Sequence, residues 1–223
     1  MGLSILSEQE TQDLDEYLRN SLSSADESIL KLANARLIKM GETDSGLFNY
    51  YTTKLRSNCL FDHYDISVAD YISKNYNPDT KILEIAAGCG AVSFGLEKFG
   101  FTNIEFSEFD HRRGELCKYI KKSLNSNMAL HLCDYRTINL QEYDVIWTIN
   151  AVSSAIGVQD YELLRQTILS GSDVILRYAY YGDEGNARGI KIFEKLDSDP
   201  GISSEPIAVH YGNERGIIRY FAN

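Results

Sequence analysis

Apolar residues recur along this chain at two spacings, and the spacing separates helices from strands. Leu14, Tyr17, Leu18 and Leu22 fall on one helical face behind a capping-box start at Ser7 and Glu10. Ile29, Leu30, Ala33, Leu37 and Met40 form a second stripe, which opens at Ser24 and Glu27 and stops at Gly41. Both stripes are narrow and need a partner surface, either one edge of the main domain or a homodimer interface. Ile66, Val68, Ala69, Tyr71 and Ile72 predict a further helix ending near Asn77-Pro78. From Lys81 onward strands alternate with helices. Apolar runs predict strands around Ile82, at 103–108, 129–133, 143–150 and 172–181, with helices after Gly90 and at 112–124, 160–169 and 187–196. Two last strands, 206–211 and 216–221, are joined by Gly212-Asn213-Glu214-Arg215 and should pair antiparallel. Such alternation predicts an α/β domain with a mostly parallel sheet covered on both faces.

The chain is organised around Lys81 to Glu97. Ile82, Leu83 and Ile85 read as a strand buried on both faces, Gly88-Cys89-Gly90 breaks it, and Val92, Phe94, Leu96 and Phe99 read as the following helix. Small residues there permit a tight turn and a close approach of backbone to ligand. Strand, glycine turn and helix open a nucleotide-binding α/β unit, with the first free amides of the helix at the crevice. Glu84 sharpens the signal. A carboxylate at the end of an apolar strand needs a partner, and a cationic ligand would supply one where a phosphate would not.

The pattern Glu84-x-Ala86-x-Gly88-x-Gly90 resembles the first motif of the class I S-adenosylmethionine-dependent methyltransferases. Ala86 stands where the first glycine is usual. A Rossmann-like turn that binds another nucleotide, or nothing, is the alternative at this point. The order of elements from about residue 65 to 223 also resembles that family. It implies a Rossmann-like, doubly wound, mostly parallel seven-stranded sheet with a terminal antiparallel hairpin, plus the N-terminal helices. Residues 1–64 then form a helical region and lid, and 65–223 the methyltransferase domain. The cofactor implied is S-adenosylmethionine. Glu108 ends the second strand 18 residues after Gly90 (108 − 90), close to the spacing of about 20 at which a Rossmann unit places its ribose acid. Asp110 is the reserve for that role, or the cap of the next helix. Phe109 lies between them at the same edge. The resemblance makes Asp134 the acid that receives the adenine amino group. Beside it, Tyr135 would stack on the ring or lie at the surface. Asn150, at the polar end of the fourth strand, should face the same crevice. Tyr64 belongs to the aromatic segment before the domain, which in this family often folds over the donor pocket.

Composition narrows the acceptor but does not name it. The chain is 43% hydrophobic and 24% charged, an ordinary globular balance, and its net charge of −10 argues against a basic nucleic-acid surface. Arg112, Arg113, Lys118, Lys121 and Lys122 read as a solvated basic helix face. No apolar run is long enough for a membrane span, and the N-terminus lacks a signal-peptide pattern. Cys59, Cys89, Cys117 and Cys133 show no metal spacing and read as reduced thiols of a cytoplasmic protein, with no metal implied. There is no Asn-Pro-Pro-Tyr sequence after the fourth strand, which lowers methylation of exocyclic amines. Nor does a cysteine follow it to attack a cytosine ring. Tyr50, Tyr51, Tyr64, Tyr180 and Tyr181 suit a sugar, a metabolite or a planar ring. The expected acceptor is a hydroxyl or other heteroatom of a small molecule or glycan unit. His63, in the aromatic segment over the pocket, is the candidate base, and His131 reads as packed. Residues 46–64 read as a lid. Rival readings are a protein or RNA methyltransferase, and a non-catalytic protein that binds the same cofactor.

Overall fold

The computed structural model describes residues 31–41, 63–88, 90–148, 156–177, 182–208 and 216–223. Helix α1 occupies residues 31–39, and Gly41 follows it at φ 74°. Then come α2 (His63–Asn75), β1 (Ile82–Glu84), α3 (Ala91–Lys98), β2 (Ile104–Ser107), α4 (His111–Leu124) and β3 (Ala129–His131). The second half holds β4 (Val145–Thr148), α5 (Tyr161–Leu169), β5 (Asp173–Arg177), α6 (Gly182–Asp197), β6 (Ile202–Ala208) and β7 (Ile217–Ala222). The seven strands form one sheet in the order β3-β2-β1-β4-β5-β7-β6. Pairing is parallel from β3 across to β5, and antiparallel for β5–β7 and β6–β7. This is the doubly wound sheet with a terminal hairpin that the hydrophobic pattern implies.

Alternation along the central strands builds two cores. Ile82, Ile104, Phe106, Val145, Trp147 and Ile175 face one side with α1 to α4. Leu83, Ile146, Val174, Leu176 and Tyr220 face the other with α5 and α6. Because both faces are covered, β1 and β4 are buried at every position.

Two elements differ from the pattern reading, and a third has no counterpart in it. Between β3 and β4, where the pattern predicts no helix, the chain makes two 3-10 turns, Tyr135–Thr137 and Leu140–Glu142. Tyr135, Leu140 and Tyr143, on and beside these turns, are buried in the second core. Helix α6 begins at Gly182, ahead of the predicted 187. Strand β6 begins at Ile202, with its register shift between Pro206 and Ala208. A proline lacks the ladder N–H, so it fits at an irregularity of an edge strand.

Helix α2 is fastened to the hairpin side of the sheet. Tyr76 Oη donates to Asp173 Oδ2 at 2.5 Å, and Tyr71 Oη donates to Glu205 Oε1 at 2.7 Å. Arg219 ties the two acids together through Glu205 Oε1 at 2.8 Å and Asp173 Oδ1 at 3.0 Å. Asp173 opens β5, whereas Glu205 pairs with Arg219 and Arg219 with Ile175, two residues further up. The helix therefore lies across the hairpin side of the sheet, with its end at the amino end of β5 and Tyr71 over β6. Among the described residues, no helix is long and apolar enough to cross a membrane.

Candidate functional site

Strands β1 and β2 end side by side, and the turn after β1 fills the gap between them. Ala86, Gly88 and Gly90 all have positive φ, at 53°, 64° and 73°. Ala86 therefore adopts the left-handed conformation at the position where the motif usually has glycine. An L-residue is strained there by roughly 1–2 kcal/mol. Ala87 N donates to Ser107 O at 2.9 Å and Gly90 N to Ala87 O at 2.8 Å, so the turn is sewn to the end of β2 and to itself. No side chain caps α3 at Gly90. Among the described residues the helix start thus has no side-chain cap, the arrangement that receives an anionic or polar ligand group. Gly90 has a second reason to be glycine: a Cβ there would lie 3.0 Å from the Phe106 ring and 3.2 Å from Phe94.

Glu84 is 6% exposed, and its carboxylate accepts a hydrogen bond from the Ser93 hydroxyl of α3. The acid expected to await a cation is thus satisfied from within the protein. The cause is geometric: α3 turns back over the end of β1 and brings Ser93 onto the side of the sheet where Glu84 points. Beneath the turn, the buried Cys117 thiol of α4 donates to Gly88 O at 2.9 Å. Neither Ser93 nor Cys117 carries a local sequence signal for these contacts.

Glu108 joins the two strand ends. It is 4% exposed; Oε2 accepts Gly88 N at 2.9 Å and Oε1 accepts Asp110 N at 2.8 Å. Each oxygen keeps a further lone pair for a ligand hydroxyl. Asp110 has a different task. Its Oδ1 accepts Arg112 N at 2.9 Å and Arg113 N at 3.1 Å, which makes it the N-cap of α4. Burial works to raise the Asp110 carboxyl, but the Arg113 amide, the Arg112 charge and the Arg112 amide outweigh it and hold the group below its ordinary range. Phe109, between the two acids, is 77% exposed, so its ring is open to a planar partner.

At the end of β3, Asp134 caps the first 3-10 turn through Arg136 N at 3.0 Å and pairs with Arg136 Nη1 at 3.1 Å. Arg136 also forks onto Asp160, with Nε to Oδ1 at 2.6 Å and Nη2 to Oδ2 at 3.1 Å. Tyr135 is neither a surface aromatic nor open to the crevice. It is 5% exposed within the second core, with the Arg136 guanidinium 4.8 Å from its ring centre. Arg136 itself was legible only as a neighbour of Asp134, since its second partner is 24 positions away.

The remaining candidates are placed less fully. His63 and Tyr64 open α2, while their side chains, Asn150 and the lid segment up to residue 62 lie outside what the structure describes. The 64/65 boundary falls within the first turn of α2. His131 is a partner of Glu105, Nε2 to Oε2 at 2.5 Å, and Tyr143 Oη donates to the same oxygen at 2.7 Å. The basic face of α4 is exposed at Arg112, Arg113, Lys118 and Lys122. No group of three or more metal-ligating side chains converges among the described residues.

No protein-family model and no curated protein matches this sequence. Solved structures do match in fold. A mutant of MtNAS in complex with S-adenosylmethionine aligns over 96% of this chain and 78% of its own, at TM-score 0.59 and 11% identity. A candidate caffeoyl-CoA O-methyltransferase from Staphylococcus aureus aligns over 86% of this chain and 100% of its own, at TM-score 0.56 and 13% identity. Magnesium protoporphyrin IX methyltransferase from Synechocystis PCC 6803, with S-adenosylmethionine bound, aligns over 71% and 78%, at TM-score 0.52 and 14% identity. With its strand order, its reversed β7 and the glycine turn after β1, the chain has the class I methyltransferase fold.

Proposed function

We propose that this protein is an S-adenosylmethionine-dependent methyltransferase, acting on a hydroxyl or other heteroatom of a small molecule or glycan unit. The observation that carries the reading is Glu108, locked between Gly88 N and Asp110 N where the turn after β1 meets the end of β2. That is where a nucleoside ribose would lie in this fold, and a buried carboxylate with spare lone pairs is suited to two vicinal hydroxyls. The solved relatives with S-adenosylmethionine bound support the choice of nucleoside. Phe109 would cover one face of the adenine, and Asp134 would accept its amino group. The uncapped start of α3 would meet the amino-acid end of the cofactor. When bound, the cofactor supplies an electrophilic methyl carbon.

The chain's own contribution is orientation, exclusion of water and removal of the acceptor proton. We assign the last role to His63. Its support is the placement of α2: going back from Tyr76 at Asp173, the amino end of β5, to Tyr71 at Glu205 of β6, level with Ile175, the helix crosses the hairpin side of the sheet and rises toward the carboxyl end of β5. The closing test is titration calorimetry with S-adenosylmethionine, S-adenosylhomocysteine and nicotinamide dinucleotides, followed by a transfer screen with labelled donor. Binding of the first two without the dinucleotides is expected, and preference for a dinucleotide overturns the reading. His63→Ala should then lower turnover far more than cofactor affinity.

A further inference from the structure

We propose that Arg136 is a positioning residue that makes Asp134 selective for an amine, against a carbonyl, on the ring it receives. The inference rests on the reading of Asp134 as the adenine acid. Contacts with three described residues hold the guanidinium. Its Nε–Nη2 edge forks onto Asp160, its face lies 4.8 Å from the centre of the Tyr135 ring, and Nη1 reaches Asp134. Asp160 is itself anchored: it is 2% exposed and accepts Gly157 N at 2.8 Å just ahead of α5. Arg136 is thus a rigid bracket between the end of β3 and the start of α5.

The bracket decides what Asp134 can accept. An ionised carboxylate has about four lone-pair sites. Oδ1 receives Arg136 N at 3.0 Å and Nη1 at 3.3 Å, while Oδ2 receives Nη1 at 3.1 Å. One site remains, on Oδ2, and the side chain is 36% exposed, so that site is reachable. It takes one N–H. It repels a carbonyl oxygen, which brings lone pairs against lone pairs. A carboxylate free to rotate would swing toward water and tolerate the carbonyl at little cost. Held by the bracket, this one cannot. A site that hydrogen-bonds one group discriminates strongly because the wrong group leaves it unpaired.

The test compares S-adenosylhomocysteine with S-inosylhomocysteine, which replaces the ring amine by a carbonyl. Calorimetry would use the wild-type protein, Arg136→Lys, and the double variant Arg136→Gln/Asp160→Asn. The double variant avoids leaving Asp160 as a buried unpaired charge. Wild-type protein should prefer the adenine ligand by about tenfold or more, and both variants should bring the ratio toward unity. Asp134→Asn should narrow or reverse it, because its side-chain amide can donate to a carbonyl. If the variants lose affinity for both ligands equally and keep the wild-type ratio, Arg136 is only structural and the inference fails. If wild-type protein binds neither ligand, the cofactor reading fails and takes the inference with it.

Discussion

Replacing Glu108 by Gln keeps its shape but turns one acceptor oxygen into an NH₂ group. Both oxygens now accept backbone N–H groups, from Gly88 at 2.9 Å and Asp110 at 2.8 Å. In the variant one amide must face another donor, and the second bond becomes a neutral one. A charge-assisted bond contributes about 1.5–3 kcal/mol and a neutral one about 0.5–1.5 kcal/mol. Losing the first and weakening the second should cost roughly 2.5–4.5 kcal/mol. Burial of the side chain, only 4% exposed, gives some of this back, because the amide has no charge to desolvate. A net loss of about 1.5–3 kcal/mol remains. In a chain of 223 residues each kcal/mol moves the melting temperature by about 2–4 °C, so a fall of roughly 3–12 °C is expected. Asp110→Ala removes only an N-cap, about 1 kcal/mol, and should fall by about 2–4 °C. Thermal unfolding followed by circular dichroism, with urea titration at 25 °C, separates the two. If Glu108→Gln melts with the wild type, or if Asp110→Ala falls further, then Glu108 does not hold the turn to β2. The same pair titrated with S-adenosylhomocysteine should rank the same way, with Glu108→Gln the weaker binder.

Gly90→Ala combines a φ of 73° with a Cβ 3.0 Å from the Phe106 ring, and should cost about 1–3 kcal/mol in urea unfolding; a neutral result would show that the ring moves aside freely. Ala86→Gly relieves about 1–2 kcal/mol of left-handed strain against about 0.5–1 kcal/mol of added chain entropy, so its urea midpoint should rise, and a lower midpoint refutes the strain argument. The pH profile follows from Glu105. Burial works to raise its carboxyl, but the hydrogen bonds from His131 and Tyr143 and the charges of His131 and Lys81 hold it below the ordinary glutamate range. The unfolded chain then binds the proton first as pH falls, so this stabilisation is present above about pH 4.5 and is lost as pH drops through the lowered value. Glu105→Gln should flatten the acid limb of melting temperature against pH, and an unchanged limb would place the titrating group elsewhere.

What could be read beforehand was whatever depends on local period and spacing. The alternation at Ile82-Leu83 and Val145-Ile146-Trp147 dictates two buried faces, and the structure has both cores. The turn was visible through its glycines, and the Glu108 position through its distance from them. Spacing alone allows Asp110 to serve as ribose acid or as cap, and its bonds to Arg112 N and Arg113 N show the cap. What could not be read was partnership between distant residues. Ser93 beneath Glu84, Cys117 beneath Gly88 and Arg136 between two acids each depend on how elements pack. The 3-10 turns after β3 escaped for a related reason, since Tyr135, Ile138 and Leu140 suggest neither helical nor strand periodicity. His63, Tyr64 and Asn150 remain proposals from sequence.

The sheet order places β7 between β5 and β6, so those two strands never touch and meet only through residues 217–222. Until β7 inserts, the Val174–Arg177 edge of β5 is an open row of backbone donors and acceptors flanked by apolar side chains. Such an edge is a template for another chain as readily as for its own. Strand β7 therefore covers an edge that would otherwise be open to another chain, besides joining β6 to the sheet. Lesions that slow its docking, at the buried Ile217 or Tyr220, should appear first as aggregates during refolding, before any loss is measured in the folded state.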